Sequence, residues 1–98
     1  MHIISTTRLR AFGREHADAD PQLRAWVRVI RRKRHSQHLE VKADFPTADF
    51  IGPWKVVFNI CRNRYRLIVD MRYDLGRAYV RHIVTHAEYD RLRKQRLL

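Results

Sequence analysis

From Lys55 onward the chain reads "KVVFNIC", "RYRLIVDMRY" and "RAYVRHIVT", three runs of alternating side-chain character separated by only a few residues. Alternation with period two marks strands that bury one face, and connections this short cannot carry a crossover. An antiparallel meander is the arrangement this leaves. Its joints are Arg62-Asn63 and Asp74 to Arg77, where Gly76 offers a residue tolerant of positive φ.

A two-residue loop at Arg62 and Asn63 sets Asn59 opposite Arg66, Val57 opposite Ile68 and Lys55 opposite Asp70. Pairing Tyr73 with Ala78 across the second turn sets Arg72 opposite Tyr79, Asp70 opposite Arg81 and Ile68 opposite Ile83. One face then holds Val56, Phe58, Ile60, Tyr65, Leu67, Val69, Met71, Val80, His82 and Val84, a core surface. The other holds Lys55, Val57, Asn59, Arg66, Ile68, Asp70, Arg72, Tyr79, Arg81, Ile83 and Thr85. Slipping one strand by a residue would expose several apolar side chains at roughly 1.5–3 kcal/mol each, so the pattern constrains the register.

Helices to cover the core face lie upstream. "MHIIST" reads as a short edge strand, and Thr6 or Thr7 caps a first helix carrying Leu9 and Phe12. Asp20 serves as the cap of a second, with Pro21 at its first position and Leu23, Trp26, Val27 and Ile30 at i, i+3, i+4 and i+7. Residues 36–54 lack a sustained period, which predicts a loop with one helical turn around Leu39 to Ala43. The fold class expected is α+β, a single domain over 1–98 with N-terminal helices on a mainly antiparallel sheet and a short C-terminal helix.

The charge is the strongest pointer to function. Lys and Arg number 21 against 10 Asp and Glu, a formal +11, and a polyanion is the natural partner. The apolar fraction of 45% excludes disorder. A lone Cys61 in an apolar run, a start without the apolar stretch of a signal peptide, and no run of membrane-spanning length predict a cytoplasmic protein with no membrane partner.

"THAEYDRLRKQ", residues 85–95, closes the chain. Thr85 and Glu88 have the spacing of a capping box, in which the hydroxyl accepts from amide 88 and the carboxylate reaches back to amide 85. His86 and Tyr89 are left over on one side of the helix, at i and i+3, with Asp90 and Arg93 free to pair with each other. Metal-free RNA cleavage needs one group to take the 2′-hydroxyl proton, one to protonate the departing 5′-oxygen, and cations for the charge growing on phosphorus. Histidine suits either proton transfer, and Arg66 and Arg81 are candidates for the cations. The plain alternative is a solvated sheet surface with Asp70 bridging Lys55 and Arg81. "HSQH" at His35 to His38 has no third ligand partner, so zinc is not expected, and His82 reads as a core or partly buried histidine on the apolar face.

"VVFNI", "YRLIV" and "YVRHIVTHAEYD" together resemble the HigB toxins of bacterial type II toxin-antitoxin modules, in the RelE-like group. "LEVKADFPTADF" is similar to that family's middle segment, so the resemblance spans essentially the whole chain. It implies a compact RelE-like fold and an mRNA interferase that cleaves translated messages on the ribosome without a cofactor. It also implies a cognate HigA-like antitoxin, with DNA met only through the antitoxin complex. The motif places Asn59, Arg66, Arg81, His86 and Tyr89 at the RNA site; the residue reading takes Arg66, Arg81, His86 and Tyr89 as the catalytic set and Lys55, Asn59 and Arg72 as RNA contacts. Relatives often carry Gly-Asn at the first hairpin, where this chain has Arg62-Asn63-Arg64, so the turn geometry is the point of departure. A non-catalytic basic module that blocks translation by occupancy is the competing reading.

Overall fold

The computed structural model describes residues 1–97. Strand β1 (His2–Ile4) leads into helices α1 (Thr6–Glu15), α2 (Asp20–Arg32) and α3 (His38–Asp44). Strands β2 (Asp49–Ile51), β3 (Lys55–Ile60), β4 (Tyr65–Arg72) and β5 (Arg77–Thr85) follow, and helix α4 (His86–Lys94) closes the described chain. The sheet order is β1-β5-β4-β3-β2, antiparallel except for β1 beside β5. This is the α+β architecture expected from the sequence pattern.

The β3–β4 register is the expected one, with Lys55 opposite Asp70, Val57 opposite Ile68 and Asn59 opposite Arg66. Val56, Phe58, Ile60, Leu67, Val69 and Val80 are buried in one cluster with Leu9, Trp26 and Ile30, and Phe12 and Val27 pack against it. Trp26 meets Phe58 edge-on at 5.4 Å between ring centres, which fixes α2 over the middle of β3.

The β4–β5 ladder departs from expectation. Arg72 faces Arg77 and Asp70 faces Tyr79, and a bulge between Ile68 and Val69 leaves Arg81 unpaired before Ile68 meets His82 and Arg66 meets Val84. Beyond the bulge the faces are exchanged. His82 and Val84 point away from the helices, and Ile83 joins the core instead. Alternation could not reveal this, because Ile83 and Val84 are both apolar and satisfy either phase. The bulge is secured by Arg8 of α1, which donates to the Arg81 carbonyl at 2.6 Å.

Smaller corrections have local causes. Helix α1 is preceded by Ser5 in the left-handed region and α2 by Ala19, while Asp20 lies inside α2 and binds Arg24 at 2.7 Å. The stretch read as a loop holds a seven-residue helix and a fifth strand. Helix α3 is tied down by side chains rather than by an apolar period: buried His35 reaches Asp44 at 2.8 Å, and Lys33 meets the same carboxylate. His38 Nε2 donates to the Gly52 carbonyl at 2.9 Å, so its Nδ1 accepts from the Tyr73 hydroxyl at 2.6 Å. Burial pushes that phenol up to about 12, keeping it a neutral donor. The two histidines of "HSQH" are thus latches on α3.

Candidate active site

The sheet face away from α1 and α2 is only partly open, because α4 folds back across it. Thr85 caps α4 by accepting from the Glu88 amide at 3.3 Å, and the His86 amide donates to the Arg64 carbonyl at 2.9 Å. Among the described residues the Glu88 carboxylate does not reach back to Thr85; it turns forward to Arg91, so only half of the expected capping box forms. Tyr89 is buried against Val57 and Ile68, with Val84 beside it. This second small core explains apolar side chains on a face otherwise dominated by cations.

Arg66 lies under this helix. It is 8% exposed, donates to its neighbour's carbonyl on Tyr65 at 3.2 Å and to His86 Nδ1 at 3.0 Å, and sits 5.7 Å from the centre of the Tyr89 ring. Arg24, Arg64, Arg72, Arg81 and Arg91 each meet a carboxylate; Arg66 meets none among the described residues. A buried guanidinium with spare donors and no counter-ion is costly to the fold and ready for an anion.

The same contact fixes the imidazole. Arginine has only donors, so His86 Nδ1 accepts and the ring proton sits on Nε2, 3.2 Å from Asp90 Oδ2. Asp90 pairs with His86 and not with Arg93, as the sequence had suggested. Arg66, His86 and Asp90 form a chain in which a carboxylate orients a histidine whose lone pair faces a cation. Tyr89 stands alongside, and its hydroxyl makes no hydrogen bond among the described residues.

The remaining candidates spread along the sheet. Asn59 is directly across from Arg66, but its amide donates to the Thr47 carbonyl at 2.9 Å and its buried Oδ1 has no partner. Arg81 binds Asp70 at 2.8 Å and lies over the Tyr79 ring. Asp70 is four residues along β4 from Arg66, about 13 Å at strand rise, so Arg66 and Arg81 are not drawn together. Lys55 is half-buried opposite Asp70, without an ion pair among the described residues. Arg72 lies farther out, stacked on Trp54 at 4.7 Å and bound to Asp74. The face therefore has a compact cluster of Arg66, His86, Tyr89 and Asp90 at one end, and a cationic strip leading from it. Asp90, expected from the sequence to pair with Arg93, could have been found from its i+4 spacing to His86; nothing in the sequence signals His82, which the bulge adds to this face.

The basic character is not confined here. A groove of about 290 Å³ between α1 and α2, on the other side of the sheet, is rimmed by Arg10, Arg24, Arg28 and Arg31 over Leu9, Leu23 and Val27.

The face thus joins a buried arginine, meeting no carboxylate among the described residues, to a histidine under a covering helix. The chain belongs to the HigB_toxin family, described as the RelE-like toxic component of a toxin-antitoxin system, whose profile matches residues 19–92. It is 32% identical over 95 residues to the mRNA interferase HigB of Escherichia coli O6:H1, covering 94% of this chain and 91% of the relative. It is 26% identical over 92 residues to the mRNA interferase toxin HigB of Escherichia coli K12, covering 92% and 88%. The mRNA interferase HigB of Shigella flexneri is similar to the same degree, 26% over 92 residues.

Proposed function

We propose that residues 1–98 act as one toxin domain, a metal-independent endoribonuclease that cuts translated mRNA on the ribosome in the cytoplasm. A cognate HigA-like antitoxin silences it, with no membrane partner and DNA reached only through the antitoxin. The observation that carries this reading is the Arg66 guanidinium, buried, meeting no carboxylate among the described residues, and bonded to His86.

An incoming phosphate draws the Arg66 guanidinium toward its oxygens, which frees the His86 Nδ1 lone pair. That nitrogen takes the 2′-hydroxyl proton as the 2′-oxygen attacks the adjacent phosphorus, and Asp90 at Nε2 stabilises the imidazolium. The P–O5′ bond breaks, the Tyr89 hydroxyl protonates the departing 5′-oxygen, and the products are a 2′,3′-cyclic phosphate and a free 5′-hydroxyl. Base activation thus depends on the substrate's own charge. Arg81, Lys55, Asn59 and Arg72 guide the flanking RNA.

A ribosome-programmed cleavage assay tests this reading. His86→Ala and Tyr89→Phe should fold and lose about 10² to 10⁴-fold in rate, the worth of a general acid or base. Phenylalanine is the informative change at 89 because the ring packs on Val57 and Ile68. Cleavage retained by both folded variants would move the chemistry to other residues, and ribosome occupancy by the wild type without any cut message would establish the non-catalytic alternative.

A further inference from the structure

The bulge at Arg81 turns His82 onto the RNA-facing side of the sheet, where it sits opposite Ile68. Arg66 is opposite Val84, which makes His82 its diagonal cross-strand neighbour at about 7–8 Å. His82 therefore lies between the Arg66 cluster and the strip of Lys55, Arg81 and Arg72.

We infer that His82 is a base-reading residue of this site, contacting the edge of the nucleotide next to the scissile phosphate and setting sequence preference; this rests on the RNA-cleaving reading above. Lys55, Arg72 and Arg81 along the strip are cations, able only to donate, and such groups hold phosphates without distinguishing bases. Of the other side chains here with both a donor and an acceptor, Asn59 has its amide committed to Thr47, and the Tyr79 hydroxyl accepts from Arg77 at the far end of the strip. The two ring nitrogens of His82 make no hydrogen bond among the described residues, and the side chain is half-buried. Burial, followed by Arg8 from α1, Lys55 from β3 and Arg81 on its own strand, lowers its pKa against a smaller opposing pull from Asp70. At neutral pH the ring is thus uncharged and presents one donor and one acceptor, the pair needed to discriminate base edges in a single strand.

The test maps 5′ ends of mRNA cut by purified wild type, His82→Ala and His82→Gln on programmed ribosomes, with a melting curve on each. His82→Gln, a neutral donor and acceptor of similar size, guards against loss of fold in the alanine variant. The expected result is that both variants cut within about tenfold of the wild-type rate while the base distribution flanking the cuts changes at least fivefold at one position. An unchanged base distribution overturns the inference while leaving the endonuclease reading standing. Complete loss of cutting by folded variants also overturns it, because that assigns His82 to the chemistry instead. A wild-type protein that cuts nothing removes both readings together.

Discussion

Arg66 concentrates a conflict between stability and use. A buried cation that meets no counter-ion among the described residues opposes folding, while the same absence leaves its donors free for a phosphate. Replacing it by methionine, which fills similar space without charge, should raise stability by about 1 kcal/mol or more while abolishing cleavage. Denaturant titration and the cleavage assay on one preparation check this; a variant that is less stable would mean that the guanidinium's bonds to Tyr65 and His86 outweigh its desolvation. At this scale the sequence was informative where the spacing was local. His86, Tyr89 and Asp90 share a helix, and Arg66 falls on the correct face by parity alone. What it could not give is the direction of each side chain, including the commitment of Asn59 to Thr47 and of Arg81 to Asp70.

Within single elements, two predictions separate architecture from chemistry. Thr85→Ala removes the one cap contact that forms and should destabilise the protein by roughly 0.5–2 kcal/mol. Glu88→Ala loses only an exposed pair with Arg91 and should cost less than about 0.5 kcal/mol. Equal losses in thermal denaturation would restore the full capping box. The β3–β4 turn offers the second, because Cys61 at φ 51° and Arg62 at φ 60° both occupy the left-handed region. Arg62→Gly relieves that strain at an exposed site and should stabilise by about 1 kcal/mol, read as a higher urea midpoint. Long strands with clean alternation were legible, as β3 and β4 were. Strand β2 and helix α3 were not, since three residues carry no period and α3 is held by His35, His38 and Asp44 rather than by an apolar stripe.

Across the whole molecule, stability should fall with acid in two windows. His82 has a folded pKa below its unfolded value near 6.5, so the fold favours the neutral ring. Its contribution is present above about pH 6.5 and is lost as pH drops through the lower folded value. Asp44 and Glu40 are likewise lowered, Asp44 by Lys33 and His35 and Glu40 by Ser36, so their share disappears only below the usual carboxylate range. Urea midpoints from pH 8 to 3 should show both steps, and His82→Gln should flatten the first; a first step that survives this change belongs to another histidine. The bulge at Arg81 acts at this scale as well, because β5 runs into α4 without a linker and the side on which the strand ends is the direction the helix takes. Exchanging Arg81 for another residue loses an ion pair and leaves that direction intact. Excising its codon would make the ladder continuous, turn His82 to Thr85 over by half a twist, and launch α4 toward the core. Missense change at position 81 thus costs an RNA-guiding cation but keeps the fold, whereas an in-frame deletion there does not, and a selection for non-toxic alleles should recover misfolded single-codon losses at 81 among its nulls.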